Sequence, residues 1–354
     1  MFRRAFATTL AAGALCVTVA LPQSALAVPK AGAVTFTPLK LEIGWKTYPG
    51  YASPAVADIG GIITLRGAMV RTTGGSYAFR LPKAFRPSRT VFVTSPLCGR
   101  TEGQLYISPT GGVLAEFAGR VLKAGCIESL DGVSFAKSGE SFTKLSLQNG
   151  WLNSPDRTSP AAARVISGVV HLKGAIYTRG TNPLAFTLPA AFRPAAVVDV
   201  PVNLYGGNKG RLRILPNGQV RVSAENKFSF AKRFTALDGV TFATSAASFR
   251  KLKTQNGWQP YGHGAYRPAA RVTSGIVQFE GAVSTSITND SLILLTLPKS
   301  MRPKTPQFLE VDLCGANNGR LVIQTNGAVI VHAEGGNVDH ATCMTSLDGA
   351  WFAR

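Results

Sequence analysis

One seven-residue motif occurs three times in this chain, and this repetition limits the folds that the sequence can adopt. The motif reads LPKAFRP at 81–87, LPAAFRP at 188–194 and LPKSMRP at 297–303. A Leu-Asp-Gly sequence also recurs three times, at offsets of 107 and 110 residues. Self-similarity at a near-constant period is the signature of a repeat architecture. The sequence therefore predicts three copies of one module.

The copies match over far more than these short motifs. Each opens with a Phe nine residues before a Trp, in FTPLKLEIGW (36–45), FTKLSLQNGW (142–151) and FRKLKTQNGW (249–258). We place the modules at 36–142, 143–249 and 250–354, each about as long as a typical domain. No Gly/Ser-rich or Pro-rich linker separates them, so we expect the modules to pack closely.

The pattern inside each module indicates β-structure. Alternating apolar positions occur in GIITLRGA (61–68), GVVHLKGA (168–175) and GIVQFEGA (275–282), between Gly, Pro and Asn residues. Clear helix starts with a 3.6-residue period are absent. The predicted fold class is all-β, with three tandem antiparallel β-sandwich modules, jelly-roll-like and of seven or eight strands each.

The cysteines occupy matching positions in the first and third modules. The pairs are Cys98 with Cys126, and Cys314 with Cys343. In the second module both positions change together, to Tyr205 and Arg233. Loss of both partners at once indicates that they are in contact, so we predict disulfides Cys98–Cys126 and Cys314–Cys343.

The alternative to the second disulfide is a zinc site that adds His332 and His340 to Cys314 and Cys343. The first module has the same cysteine pair without those histidines. This favours the disulfide, and we predict no metal site.

The proline-bracketed motif predicts a stiff connection between strands, because each proline fixes its own φ and restricts the preceding residue. Arg86, Arg193 and Arg302 end its three copies. A guanidinium there can donate to carbonyls of a nearby turn, which is the interpretation we favour. The alternative is that these arginines clamp an anionic ligand.

The repeated tryptophans and aspartates have a structural and a functional interpretation. Trp45, Trp151 and Trp258 fit a core or an interface between modules better than a sugar-stacking platform. The Asp-Gly pairs at 131–132, 238–239 and 348–349 fit tight turns better than catalytic acids, because Asp-Gly readily takes positive φ.

The first residues predict export. Arg3 and Arg4 precede an apolar stretch from 5 to 21, and Ala25, Leu26 and Ala27 form a cleavage pattern. We predict a signal peptide at 1–27, a short segment at 28–35 and a secreted protein. The apolar stretch is short for a membrane span and no second one follows, so no membrane span is expected.

The charge points to anionic partners. The chain has 38 Lys and Arg against 18 Asp and Glu, a formal net charge of +20, which falls to +18 without Arg3 and Arg4. Such a charge favours wall polymers, acidic glycans, phospholipid or nucleic acid without choosing among them. The alternative is that the charge serves only the solubility of a secreted protein, which the scattered distribution of the cations favours. No specific nucleic-acid partner is predicted.

The sequence gives little support for catalysis. The only recurrent acids outside the Asp-Gly turns are Glu116, Glu225 and Glu334. There is no G-x-S-x-G, H-E-x-x-H or P-loop sequence, and no histidine recurs between modules. We expect a protein that is not an enzyme and has no cofactor.

Taken together, these motifs resemble a known family. L-x-x-x-x-G-W, G-V-x-x-x-G, F-T-L-P-x-x-F-R-P, L-x-I-x-x-x-G-x-V and L-D-G-V-x-F look like the receptor-binding modules at the distal ends of bacteriophage tail fibres and baseplates. The resemblance spans all three repeats. It implies a β-sandwich that binds cell-surface saccharide, often as a trimer. This chain differs in its signal sequence, its lack of a stem and its three tandem copies.

The expected function is that of a secreted, non-catalytic binding protein that recognises an anionic or neutral cell-surface glycan or wall polymer through lectin-like modules. The alternative is a structural or adhesive envelope protein attached by its positive charge, and a glycan-processing enzyme is the less favoured third interpretation. Because the loops at 99–103, 206–210 and 315–319 vary between fixed flanks, we expect them to contact any ligand. The alternative is that they are solvated ends of hairpins. The candidate residues are Arg100, Lys209, Arg211, Asn317 and Arg320.

Two expectations concern the whole molecule. The second module has 13 basic and 4 acidic residues, so it is expected to carry most of any anion binding. Tandem copies of a module that resembles a trimer subunit predict a monomer with internal pseudo-threefold symmetry. The alternative is a rod in which each module contacts only its sequence neighbours.

Overall fold

The structure is a computed structural model that describes Met1 and residues 34–97, 102–117, 120–121, 123–286 and 291–354. The predicted signal peptide, apart from Met1, and the candidate residues Cys98 and Arg100 lie outside the described residues. We call residues 36–142, 143–249 and 250–354 repeats 1, 2 and 3.

Repeat 1 consists of short strands. They are β1 (Thr37–Pro38), β2 (Trp45–Thr47), β3 (Ala55–Ile59), β4 (Ile62–Arg66), β5 (Ala68–Arg71), β6 (Tyr77–Arg80), β7 (Val91–Pro96), β8 (Glu102–Ile107), β9 (Gly112–Phe117), β10 (Arg120–Val121), β11 (Ile127–Ser129) and β12 (Ser134–Ala136).

Repeat 2 follows the same order, with one short helix near its end. Its elements are β13 (Thr143–Lys144), β14 (Trp151–Asn153), β15 (Ala162–Ile166), β16 (Val169–Lys173), β17 (Ala175–Thr178), β18 (Leu184–Thr187), β19 (Val198–Leu204), β20 (Asn208–Ile214), β21 (Gln219–Ala224), α1 (Phe228–Arg233), β22 (Thr235–Ala236) and β23 (Thr241–Ala243).

Repeat 3 matches repeat 2 element by element. Its elements are β24 (Arg250–Lys251), β25 (Gln259–Pro260), β26 (Ala269–Thr273), β27 (Ile276–Glu280), β28 (Ala282–Ser284), β29 (Ile293–Thr296), β30 (Gln307–Asp312), β31 (Asn318–Ile323), β32 (Ala328–Ala333), α2 (Val338–Cys343), β33 (Thr345–Ser346) and β34 (Trp351–Ala353).

Each repeat has a four-stranded antiparallel sheet and a second antiparallel layer. The four-stranded sheets have the orders β1-β3-β4-β12, β13-β15-β16-β23 and β24-β26-β27-β34. In repeat 2 the second layer is one sheet of order β14-β17-β22-β19-β20-β21-β18. In repeats 1 and 3 this layer is divided into two sheets, which single bridges connect at Leu97–Glu128 and Leu313–Thr345. The all-β, antiparallel prediction is confirmed.

The strands are shorter and more numerous than the seven or eight predicted for each module. One reason is visible at Gly67, which separates β4 from β5 within the alternating stretch 61–68. Its φ of 96° lies in the region that favours glycine, and a Cβ there would lie 2.6 Å from the carbonyl oxygens of Ala52 and Ser53. Gly174 and Gly281 interrupt the other two copies in the same way.

The hydrophobic side chains form one main cluster in each repeat, with residues from both layers. Trp45, Trp151 and Trp258 belong to these clusters and are only 5%, 2% and 3% exposed. The indole nitrogens of Trp151 and Trp258 donate to the carbonyl oxygens of Asn182 and Ser291. The core interpretation of these tryptophans is therefore confirmed, and they are not available to stack on sugars.

The three repeats contact one another in a closed cycle. β7, β19 and β30 occupy equivalent positions and each contacts the other two. The glycine that ends each Leu-Asp-Gly motif packs on the neighbouring repeat: Gly239 on Val93, Gly349 on Val200 and Gly132 on Leu309. The contacts run from repeat 2 to 1, from 3 to 2 and from 1 to 3.

Hydrogen bonds and ring contacts follow the same cycle. Ser346 Oγ in repeat 3 donates to Asp199 O in repeat 2 at 2.6 Å, and Ser129 Oγ in repeat 1 donates to Phe308 O in repeat 3 at 3.1 Å. The Phe92 and Phe234 rings join repeats 1 and 2 at 5.1 Å. The repeats therefore surround a pseudo-threefold axis, as expected from the sequence, and do not form a rod.

Candidate functional site

The arginines of the proline motif hold the turn in which they lie. In each copy a short 3-10 turn follows the first proline, at Lys83–Phe85, Ala190–Phe192 and Lys299–Met301. The Nε atoms of Arg86, Arg193 and Arg302 then donate to the carbonyl oxygens of Leu81, Leu188 and Leu297 at 2.9, 2.9 and 3.0 Å. The interpretation as a turn-fixing donor is confirmed. These guanidiniums are engaged inside their own motifs.

The Leu-Asp-Gly aspartates lie in turns, as predicted, but their carboxylates are buried. Asp131, Asp238 and Asp348 accept the backbone N–H of Gly67, Gly174 and Gly281 at 2.9, 2.9 and 2.7 Å. The hydroxyl oxygens of Ser129 and Ser346 lie 3.3 and 3.5 Å from the Oδ2 atoms of Asp131 and Asp348. Each aspartate therefore holds the glycine that interrupts the strand of its own repeat.

Burial dominates the titration of these three groups. It raises the pKa of Asp131 and Asp238 to about 7, against the lowering effect of their hydrogen bonds. Burial also raises the pKa of Asp348 well above its usual value. The desolvation of a carboxylate outweighs the few hydrogen bonds that it accepts here.

Lys209 and Arg211, predicted to face an anionic ligand, lie between repeats. Lys209 is 8% exposed, and its charge lowers the pKa of Glu310 in repeat 3 against the larger effect of burial. The Arg211 side chain is 12% exposed, and its Nη1 donates to Asp312 Oδ2 at 3.1 Å. Arg211 Nε also lies 3.6 Å from Asp199 Oδ1. A ligand role for this pair does not fit these positions, because both side chains face the neighbouring repeat.

Asn317 and Arg320 likewise serve contacts within the chain. Asn317 Nδ2 donates to Cys314 O at 2.8 Å and closes its own loop. Arg320 Nη1 donates to Leu97 O in repeat 1 at 3.2 Å, and its guanidinium lies 4.4 Å from the centre of the Phe308 ring. Arg320, which directly follows the predicted recognition loop, therefore connects repeats 3 and 1.

One predicted disulfide is present, and its counterpart in repeat 2 is a different contact. Cys314 and Cys343 are bonded, with their Cα atoms 5.7 Å apart. At the matching positions of repeat 2, the Arg233 guanidinium lies 3.7 Å from the centre of the Tyr205 ring. A cation–π pair therefore replaces the covalent bond. Cys98 is not described, so the pair Cys98–Cys126 stays a prediction.

The zinc alternative fails for repeat 3, because Cys314 and Cys343 are oxidised to each other and offer no thiolate. Within the described residues, no group of three or more His, Cys, Asp or Glu side chains is placed to hold a metal ion.

No helix in the described part of the chain is long and apolar enough to cross a membrane.

Burial divides the charges unequally between interior and surface. Among the described residues only Lys209 and Arg271 are buried cations, whereas seven of the 18 acidic residues are buried. These acids are Glu128, Asp131, Asp199, Asp238, Glu280, Asp312 and Asp348. The exterior is therefore more cationic than the formal net charge of +20 indicates.

Some of this exterior charge lies on equivalent edge strands. The first strand of each four-stranded sheet is β1, β13 or β24, and exposed cations lie on it or next to it. They are Lys40, Lys144, Arg250, Lys251 and Lys253. Charged residues on a sheet edge also prevent edge-to-edge pairing, which explains part of this pattern.

A cavity of about 110 Å³ lies on the pseudo-threefold axis, and we call it the axial cavity. Equivalent residues of all three repeats line it, in three sets: Ile62, Val169 and Ile276; Thr64, His171 and Gln278; Ser134, Thr241 and Trp351. The hairpin residues Ile59, Ile166 and Thr273, with Ser167, Arg271 and Ser274, complete the lining. A lining made of equivalent residues arises only where one cavity contacts all three repeats around their common axis.

Strand register explains how the polar residues reach the axial cavity. Thr64 pairs with Ser134, His171 with Thr241 and Gln278 with Trp351, in adjacent strands of the three four-stranded sheets. In each sheet, the residues between these positions, such as Ile63 and Leu65, face the core instead. The sequence shows the alternation but does not show that the outward face of each sheet meets two other repeats.

His171 and Arg271 determine the electrostatics of the axial cavity. Burial lowers the pKa of His171 to about 4, and the charge of Arg164 contributes, so the imidazole is neutral at pH 7. Arg271 is 9% exposed and donates to Gln278 Oε1, Ser248 Oγ and Ser167 O at 2.7, 2.8 and 2.9 Å. No acidic residue is among the described residues that line the cavity.

No protein family model, no curated protein and no solved structure matches this chain. The resemblance to the tail-fibre modules of bacteriophages therefore stays a prediction based on sequence motifs.

Proposed function

We propose that this protein is a secreted, non-catalytic binding protein that attaches to an anionic cell-surface or wall glycan through its exterior charge. The observation that carries the proposal is the unequal burial of charge, with seven acids and two cations buried among the described residues. A cationic exterior raises the local concentration of a polyanion and speeds its association. The disulfide Cys314–Cys343 suits an oxidising, extracellular compartment.

The same observations favour charge over stacking as the mode of attachment. The three repeated tryptophans are buried in the cores and offer no ring to a sugar. The recurring acids Asp131, Asp238 and Asp348 are buried and accept backbone hydrogen bonds, so they serve the fold of each repeat. This supports binding without catalysis by a monomer with three equivalent faces, whose weak contacts add up on one polymer.

Retention on a column tests the proposal. The protein from residue 28 onward is applied to immobilised polygalacturonate, with immobilised dextran as the neutral control. Charge-driven attachment predicts retention on polygalacturonate alone at low salt, and elution as salt shortens the screening length. Equal behaviour on the two columns would contradict the proposal.

Two variants of equal charge locate the contact. Replacing Arg250, Lys251 and Lys253 with Ser removes three cations from one sheet edge, whereas replacing Lys83, Arg89 and Lys299 removes three exposed cations elsewhere. If the edge strands make the contact, the first variant elutes at clearly lower salt than the second. Equal loss in both variants indicates an adhesive protein held by its overall charge, which is the second candidate function.

A further inference from the structure

The axial cavity has the properties of a binding site that is separate from the cationic exterior. It is partly open to solvent, since Ser167 in its lining is exposed, and it has a volume of about 110 Å³ at the meeting point of the three repeats. An engineered apolar cavity of about 150 Å³ accepts benzene, so this space suits a small ring or a short alkyl group.

The walls of the cavity are mostly apolar. Ile62, Val169 and Ile276 form one set of equivalent residues, and Trp351 occupies the position where repeats 1 and 2 have Ser134 and Thr241. Trp351 is buried, and its six-membered and five-membered rings supply a flat apolar surface. These walls fit the body of an apolar ligand.

Arg271 gives the cavity a positive charge that is not neutralised by an ion pair. A guanidinium has five N–H donors, and three hydrogen bonds of Arg271 within the protein are described, all to neutral oxygens. The other two N–H groups have no described hydrogen-bond partner, and the centre of the Phe249 ring lies 4.7 Å from the guanidinium carbon. The charge of Glu280 also acts on Arg271, but the two side chains form no ion pair. Burial raises the pKa of Glu280 to about 7.

His171 is the second polar group of this cavity that can hydrogen-bond to a ligand. It lines the cavity and makes no hydrogen bond within the described part of the chain. A neutral imidazole offers one donor and one acceptor. The equivalent positions of repeats 1 and 3 are the polar residues Thr64 and Gln278.

We propose that the axial cavity binds a small carboxylate with an apolar body, with the carboxylate at Arg271 and His171 and the body against Val169, Ile276 and Trp351. The carboxylate supplies the negative charge that this buried guanidinium lacks, and charge-assisted hydrogen bonds to it are stronger than neutral ones. This site is independent of the attachment to a polymer proposed above.

Benzoate is the probe, with benzyl alcohol and benzylammonium as neutral and cationic controls of similar size. Titration of the protein from residue 28 onward by calorimetry and by tryptophan fluorescence should give a Kd for benzoate at least tenfold lower than for either control. Equal affinity for benzoate and benzyl alcohol would overturn the proposal. Retention on polygalacturonate is measured in parallel and should not change with saturating benzoate.

Filling the cavity is the matched test. Val169→Phe places a ring inside the cavity and should abolish benzoate binding, whereas Val165→Phe changes an exposed residue of the same hairpin and should leave it intact. Ile62→Phe fills the same space from repeat 1 and serves if the first variant does not fold. Benzoate binding that survives in a folded cavity-filled variant would place the site elsewhere and overturn the proposal.

Discussion

Single side chains fix the turns of each repeat, and Arg302 illustrates the effect. Its Nε donates to Leu297 O at 3.0 Å across the LPKSMRP motif. We expect Arg302→Ala to lower the free energy of unfolding by about 1–2 kcal/mol, because the partly buried carbonyl loses a charged donor. Chemical denaturation measures this loss.

The control lies in the same motif. Lys299 is exposed, and no contact of its side chain is described, so Lys299→Ala should change stability by less than about 0.5 kcal/mol. Equal effects of the two substitutions would show that the arginine does not hold the turn.

At the scale of elements, repeat 2 tests whether the contact between Tyr205 and Arg233 is equivalent to the disulfide of repeat 3. Tyr205 begins a 3-10 turn and Arg233 ends α1, as Cys314 and Cys343 do in repeat 3. Replacing both residues of repeat 2 by Cys should form a disulfide and stabilise the protein by about 3 kcal/mol, less the lost cation–π contact.

The redox state provides the control for this variant. Thermal unfolding with and without a reductant should differ more for the double-cysteine variant than for the unchanged protein, which has its own disulfide. Two free thiols in the folded variant would show that the two repeats do not share this geometry.

The sequence predicts the strands and cores of each repeat better than it predicts the contacts between repeats. Period-2 alternation and repeated motifs identify the all-β repeats, the core position of Trp151 and the disulfide Cys314–Cys343, because each depends on contacts within one module. The same alternation assigns Arg211 and His171 to an outward face, which in a single module faces solvent. Only the closed cycle of repeats turns that face into a buried interface, so the axial cavity and the ion pair of Arg211 with Asp312 could not be predicted.

The sequence also does not predict the two short helices, for a local reason. α1 and α2 have six residues each, which is fewer than two turns and too short to show a 3.6-residue period. Their ends are fixed by contacts with the loops that carry Tyr205 and Cys314.

At the scale of the whole molecule, the buried acids predict a protein that is more stable at acidic pH. Burial raises the pKa of Asp131, Asp238 and Glu280 to about 7 and that of Glu310 to about 8. Between about pH 4 and these values the folded state keeps protons that the unfolded chain has released. The free energy of unfolding therefore falls as pH rises through this range.

His171 acts in the opposite direction, because its pKa is lowered to about 4 from an ordinary value of 6.5. Its neutral form in the folded state makes stability rise with pH between those two values, but it is one group against several carboxyls. We expect a higher Tm at pH 5 than at pH 8.5, and a smaller difference in Asp238→Asn. A Tm that rises with pH across this range would contradict the assignment.

The closed cycle of repeats underlies both proposed binding modes, because it creates the axial cavity and places three equivalent faces around one axis. Small-angle X-ray scattering of the protein from residue 28 onward tests it most directly. A compact arrangement predicts a radius of gyration of about 20 Å, whereas a rod of three such domains gives roughly 30 Å. A value near 20 Å for a monodisperse monomer is the expected result, and a value near 30 Å would contradict the cycle.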